Sequence, residues 1–214
     1  MSIIGRLIAL SGIDGSGKST CAATLKLLLE SKGKNNVSIE DAMQSGLFFP
    51  TLKAISQEKK RNIRETYCSN SINLSWTADL LLNYECRIKN LLREKDFVIL
   101  HRSELCCRVY SRLFSPQNDM IDRILDKYDF KYDLLIFLNI DPNLSYQRIL
   151  QRSSLKSPSE KEEFDMLVAA DNLYKDYLRR FKYKDVMTLD ASLSPKAMYE
   201  QLNALVDLIL LQGE

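Results

Sequence analysis

Residues Gly12 to Ser19 read G-I-D-G-S-G-K-S and lie between the apolar run Leu7-Ile8-Ala9-Leu10 and a helix-like segment from Lys18 to Lys32. A glycine-rich turn that joins a strand to a helix in this way reads as a phosphate-binding loop, a P-loop, and each residue type in it has a chemical task. Glycines let backbone N–H groups turn inward around a β-phosphate, Lys18 carries positive charge to the β- and γ-phosphates, and the Ser19 hydroxyl suits Mg²⁺. The helix that follows adds the positive end of its dipole. Gly12, Asp14, Gly15, Ser16, Gly17, Lys18, Ser19 and Thr20 are therefore the candidate nucleotide-binding residues, with Ser19 the metal ligand. The competing reading is a turn that holds Lys18 and Ser19 by coincidence, and the strand before it and helix after it speak against that.

Short β-rich runs alternate with helical stretches along the rest of the chain. Strands are expected at Arg6–Ser11, Val37–Glu40, Phe97–His101, Asp133–Ile140 and Asp185–Leu189, which implies an α/β protein with a five-stranded parallel sheet flanked by helices. The first helix carries Leu25, Leu28 and Leu29 on one stripe and stops near Gly33. A long helix is expected from about Ile72 to Arg93, another from Pro142 through Leu150, and the last over roughly Pro195 to Leu211. Ser153 to Lys161 is polar, contains Pro158 and reads as a mobile loop. Ligands of such sheets bind beyond the carboxyl ends of the strands, so the residues just after each strand are the ones to inspect.

At 214 residues the chain is expected to form one domain over 1–214. Its 30 basic and 28 acidic residues leave a net charge of +2, which argues against a dedicated nucleic-acid surface and leaves small anionic ligands open. Cys21, Cys68, Cys86, Cys106 and Cys107 show no C-x-x-C spacing, and their odd number suits a reducing cytosol. No secretory leader is expected, since the N-terminal segment runs directly into the P-loop, and no apolar run approaches membrane-spanning length; Leu205 to Leu211 is apolar but short.

The stretch I-A-L-S-G-I-D-G-S-G-K-S-T at Ile8–Thr20 closely resembles the start of thymidylate kinases, within the nucleoside monophosphate kinase branch of P-loop proteins. His101-Arg102-Ser103 stands where that family has Asp-Arg-Tyr, Tyr110 falls at the spacing of an acceptor-pocket tyrosine, and Arg87 matches an arginine that grips the acceptor's phosphate. Phe137 to Pro142 resembles the fourth strand and its exit, Arg148 and Arg152 lead into a lid-like loop, and Asp190-Ala191-Ser192 resembles a turn that approaches adenine. The resemblance covers nearly the whole chain and implies a P-loop kinase fold with a lid over about 150–163. It also implies a homodimer that moves the ATP γ-phosphoryl group, with Mg²⁺, to dTMP or a related monophosphate. Lys18 would hold the β/γ-phosphates, Arg102 the acceptor side of the transferred group, and Asp14 the acceptor sugar, although an aspartate there also suits a plain Asx turn.

Three positions and one missing element depart from the family. Gly15 stands where some members carry a basic residue, so Arg148 and Arg152, four apart on one helical face, become the candidates for transition-state charge. Asn83 stands where an aromatic commonly stacks on thymine; Phe49, in the loop after the second strand, is the alternative base-stacking residue. The Arg-Glu-Pro element found after strand two in many bacterial members is missing. The only histidine, His101, replaces the strand-end carboxylate, and imidazole is a poor ligand for a hard, oxygen-seeking ion. Mg²⁺ then relies on Ser19, phosphate oxygens and Asp14, or the acceptor differs, or the chain binds nucleotide with weak turnover. Two other readings stay open. His101-Arg102-Ser103 also resembles an element of deoxynucleoside kinases, which would use Glu40 or Asp41 as a base, and a regulatory kinase homologue would bind ATP without acceptor-dependent turnover.

Overall fold

The structure is a computed structural model that describes residues 5–41, 46–152, 160–180 and 185–211. Its sheet contains β1 (Arg6–Ser11), β2 (Val37–Glu40), β3 (Phe97–His101), β4 (Leu134–Asn139) and β5 (Val186–Asp190), all parallel, in the order β2-β3-β1-β4-β5. β1 lies at the centre with β3 and β4 on either side, and Leu7 to Leu10 are all within 1% of complete burial. A parallel strand covered on both faces reads as a continuous apolar run, which is why Leu7-Ile8-Ala9-Leu10 does not alternate. β5 is an edge strand, and Val186 is correspondingly exposed.

The register sets the site. Leu10 pairs with His101 and Ser11 with Phe137, so the exits of β1, β3 and β4 open at one edge of the sheet. The exits of β1 and β3 are tied together by a buried hydrogen bond of 2.7 Å between Ser11 Oγ and Ser103 Oγ.

Ten helices are described. They are α1 (Lys18–Ser31), α2 (Phe48–Glu58), α3 (Ile63–Thr66), α4 (Ser69–Asn83), α5 (Lys89–Leu91), α6 (Glu104–Phe114), α7 (Met120–Leu125), α8 (Pro142–Arg152), α9 (Glu160–Arg180) and α10 (Pro195–Leu211). α1 packs on α10, while α6 packs on α4 and α9, so apolar faces cover the sheet with Leu25, Leu28, Leu29, Leu105 and Val109. The expected helix from Ile72 starts earlier, at Ser69, and is not uniform: Tyr84–Ile88 forms a π-helical turn between α4 and α5. A π turn adds a residue and rotates everything beyond it, a change that apolar periodicity does not report. α8 runs to Arg152 rather than Leu150. Of the loop expected over 153–161, residues 153–159 lie outside the described residues, and 160 and 161 begin α9. Among the described residues no helix is long and apolar enough to cross a membrane.

Candidate active site

The P-loop glycines sit where a side chain cannot. Gly12 has φ +144° and Gly15 φ +80°; a Cβ on Gly12 would lie 2.8 Å from the Leu138 carbonyl oxygen, and one on Gly15 2.5 Å from that of Ser145. Gly17, at φ +92°, opens α1. Ser145 is fully buried on α8, and its hydroxyl donates to the Asp14 carbonyl, which seals α8 against the loop. The basic residue that some thymidylate kinases carry at this place is therefore excluded here by packing as well as by backbone conformation.

Lys18 folds back over the loop. Its Nζ donates to Gly12 O at 2.9 Å and Ile13 O at 2.8 Å, and lies 3.9 Å from Asp14 Oδ1. Burial, helped by the positive charge of Arg102, holds its pKa down to about 8 although Asp14 pulls the other way. Arg102, a non-glycine residue at φ +93°, turns its guanidinium to Asp14, with Nη2 donating to Oδ1 at 3.1 Å. Burial disfavours the charge on Arg102, but Asp14 and nearby groups reverse the effect and raise its pKa. Burial likewise acts to raise the Asp14 pKa, and Lys18 and Arg102 more than offset it, so Asp14 is held below the usual carboxylate range.

Two cavities flank the loop. The first, of about 290 Å³, is lined by Asp14, Phe49, Arg64, Trp76, Arg102, Tyr110 and Phe114. Phe49 and Trp76 have ring centroids 5.0 Å apart, Tyr110 meets the Trp76 edge at 6.4 Å, and the Arg64 guanidinium lies 4.0 Å over the Phe114 ring. The structure thus brings together four residues expected on the acceptor side, Asp14, Phe49, Arg102 and Tyr110. Burial and then Asp14 push the Tyr110 hydroxyl well above its ordinary pKa, so it is a neutral donor at pH 7.

Trp76, Arg64 and Phe114 were not anticipated. Asn62 and Glu65 form a capping box that starts α3 and so places Arg64, an N-x-x-E signal visible in the sequence; nothing local, however, shows that α3 faces Phe114 on α6. The aromatic facing Phe49 is Trp76, whereas Asn83 turns its amide back to the Asp79 carbonyl at 3.0 Å.

Arg87 does not join this group. It lies in the π-helical turn, is 53% exposed, and its Nε pairs with Glu40 Oε2 at 2.8 Å. It does not line the first cavity.

The position of Phe49 depends on Asp79, which is fully buried on α4. Asp79 Oδ1 accepts from the N–H groups of Leu47 (2.7 Å) and Phe48 (2.8 Å), and Oδ2 from that of Phe49 (2.7 Å). One carboxylate thus satisfies the orphan donors at the start of α2 and complements its dipole. Asp79→Ala is expected to cost about 2–3 kcal/mol, the penalty for unmaking charge-assisted bonds at a buried site. Urea unfolding followed by the fluorescence of Trp76, the single tryptophan of the chain, would measure it.

The second cavity is lined by Ser16, Gly17, Thr20, Arg148, Arg152 and Ala191, with Tyr199, Met198, Leu193 and Leu202 closing its far end. Ala191 is buried and its N–H donates to Asn139 O at 2.8 Å, which fastens the turn after β5 to the exit of β4. Arg148 and Arg152 share one face of α8, and among the described residues neither is held in a salt bridge. His101 lines neither cavity. Its ring lies between Ser19 and Asp41, with Nε2 3.0 Å from Ser19 Oγ and Nδ1 3.3 Å from Asp41 Oδ2.

A parallel sheet whose central strand feeds a P-loop with a cavity on either side defines a P-loop phosphotransferase. The family model described as thymidylate kinase matches residues 10–202. A probable thymidylate kinase of Staphylothermus marinus is 32% identical over 146 residues, covering 67% of this chain and 68% of that protein. Probable thymidylate kinase 1 of Saccharolobus solfataricus is 27% identical over 92% of this chain and 94% of its own length, and a thymidylate kinase of Legionella pneumophila is 24% identical over 96% of each. The chain belongs to the thymidylate kinase family.

Proposed function

We propose that the chain transfers the γ-phosphoryl group of ATP to a nucleoside monophosphate, dTMP in the first instance, giving ADP and dTDP. The observation that carries this reading is that the P-loop walls both cavities, Asp14 facing one and Ser16 and Gly17 the other. A phosphoryl group held by the loop between them has a donor on one side and an acceptor on the other, and positioning with charge neutralisation supplies most of such catalysis.

The residues fit the expected cofactors. Ser16 Oγ is buried and meets no protein partner among the described residues, as suits a loop built to take phosphate oxygens. No cluster of three or more His, Cys, Asp or Glu side chains could hold a metal by itself among the described residues, so Ser19 and the nucleotide's own oxygens would supply the Mg²⁺ ligands. Bound there, Mg²⁺ would neutralise charge on the β- and γ-phosphates. Lys18 would exchange the Gly12 and Ile13 carbonyls for those oxygens, and Arg102, held by Asp14, would face the acceptor's phosphate.

The acceptor chemistry also favours a monophosphate over a nucleoside. A phosphate monoester, with a second pKa near 6, is already an oxyanion at pH 7, whereas a sugar hydroxyl needs a base. Glu40 is paired with Arg87 and Asp41 with His101, and neither lines the acceptor cavity. An ATP-consumption screen over nucleoside monophosphates, nucleosides and a no-acceptor control tests the proposal. ADP formation that depends on dTMP supports it, and turnover confined to nucleosides, or none with any monophosphate, overturns it.

Arg148 and Arg152 take the place of the basic residue that Gly15 precludes. Arg152→Ala is expected to lower kcat about tenfold or more while the KM for ATP changes less, because charge that develops only in the transition state is felt in kcat. An effect confined to KM would assign the arginine to ground-state binding. The reading extends to a homodimer in a reducing cytoplasm. Leu74 and Leu82 of α4 and Phe48 of α2 expose apolar surface for a second copy, and all five cysteines are free. Light scattering of the purified protein would report the pairing.

A further inference from the structure

We propose that Asp41 and His101 act together in place of a strand-end carboxylate, orienting the Ser19 hydroxyl so that its lone pairs face the magnesium position. The inference rests on the ATP- and Mg²⁺-dependent reading of the site above. His101 ends β3 in register with Leu10 of β1, which sets its ring beside the start of α1. The ring is largely buried, at 14% exposure, and both of its nitrogens have partners: Ser19 Oγ at 3.0 Å from Nε2 and Asp41 Oδ2 at 3.3 Å from Nδ1.

With the ring neutral those two contacts admit one arrangement of protons, whereas a doubly protonated ring would donate from both nitrogens and occupy a Ser19 lone pair. A carboxylate only accepts, so the proton between Asp41 and the ring sits on Nδ1. Nε2 of that neutral tautomer carries a lone pair and accepts, which leaves Ser19 as the donor of the other bond. The single hydroxyl proton of Ser19 is then directed at the ring, and both oxygen lone pairs point elsewhere, free for a cation. The opposite tautomer would set the Nδ1 lone pair against the carboxylate and spend a serine lone pair on Nε2–H.

This arrangement removes the conflict posed by a histidine at this position. The imidazole need not ligate a hard cation, since its part is to accept a proton-bearing contact as a carboxylate there would. The negative charge that such a carboxylate would bring is present one link further out, on Asp41. It acts on the P-loop at that range, since Asp41 is among the groups that raise the Lys18 pKa. Asp41 and His101 are thus positioning residues that act through Ser19; a group bonded directly to a metal ligand, as His101 would be, characteristically governs metal affinity by about 10- to 100-fold, and Asp41 acts one link further out.

The test uses Mn²⁺ as a paramagnetic stand-in for Mg²⁺, titrated by electron paramagnetic resonance in the presence of ADP. The parent is expected to bind Mn²⁺ in an ADP-dependent manner, and Asp41→Ala, which removes the acceptor as well as the charge, to weaken that binding several-fold. ADP binding in EDTA, followed by titration calorimetry, is expected to match the parent; a loss there as large as the loss of Mn²⁺ affinity would make Asp41 merely structural and overturn the proposal. The double variant His101→Glu with Asp41→Ala should regain Mn²⁺ affinity, because a glutamate has the reach of the imidazole Nε2 and contacts Ser19 without needing Asp41. Parent-like Mn²⁺ affinity in Asp41→Ala, or a double variant as weak as Asp41→Ala alone, overturns the proposal and leaves the kinase reading intact. A parent with no ADP-dependent Mn²⁺ site overturns both.

Discussion

Replacement of Lys18 by methionine is expected to lower kcat/KM by about 10²–10³-fold, the effect of removing one charge that the proposed reaction directs at the transferring group. The same change separates function from stability. Lys18 is 5% exposed, and burial holds its pKa at about 8 against an ordinary 10.5. Below pH 8 the lysine is charged in both the folded and unfolded chain, and the folded state bears the full cost of the buried charge. That cost is on the order of 3 kcal/mol. Between about pH 8 and 10.5 the unfolded chain binds more protons than the folded one, so stability rises with pH across that window. The parent should therefore gain stability relative to Lys18→Met as the pH is raised from 8 to 10, in paired urea denaturations in which all other titrating groups are shared. A constant difference would show that the lysine is not held down. On the proposed contact of ATP with the charged lysine, nucleotide affinity of the parent should fall as pH passes about 8.

Gly15→Arg is expected to abolish turnover rather than improve it, even though a basic residue stands at this place in some thymidylate kinases. Gly15 has φ +80°, and the new Cβ would lie 2.5 Å from Ser145 O and 2.6 Å from Ser145 Oγ. The backbone oxygen cannot swing aside. Relief requires α8 to move off the loop, breaking the bond between Ser145 and the Asp14 carbonyl and displacing Arg148 and Arg152 with it. The positive φ alone costs about 1–3 kcal/mol, and, with Arg148 and Arg152 in the catalytic role proposed for them, a shift of about 1 Å is enough for about 10²-fold in rate. Calorimetry and steady-state kinetics on the variant would measure both, and a stable, faster enzyme would show that α8 is free to yield. On the proposed role of Arg148 and Arg152, the helix that would bring the charge occupies the space a loop arginine would need.

The phosphate half of the site was legible residue by residue, because its signals are local. Glycines at positive φ, a lysine and serine at a helix start, and a buried strand before them are neighbours in the chain. The cavity proposed for the acceptor was not. Asp14, Phe49, Arg102 and Tyr110 were named from a family resemblance and do meet in one cavity, but Trp76, Arg64 and Phe114 complete it through packing of α4, α3 and α6. Arg87 matched by spacing, yet a π-helical turn places it against Glu40. His101 read as an anomaly because its partners, Ser19 and Asp41, are distant in sequence.

The amino-acid sequence alone determined that this chain is a parallel α/β protein with a P-loop after its first strand, since period, glycine and capping act over a few residues; that this strand is central came from the structure. Only the tertiary structure decided what surrounds that loop. It settled that Ser145 closes the space beside Gly15, that Asp79 sets Phe49 against Trp76, and that His101 stands between Ser19 and Asp41. Each of these is a contact between segments far apart in the chain, fixed by close packing and by the need of buried polar groups for partners, and neither requirement leaves a local trace.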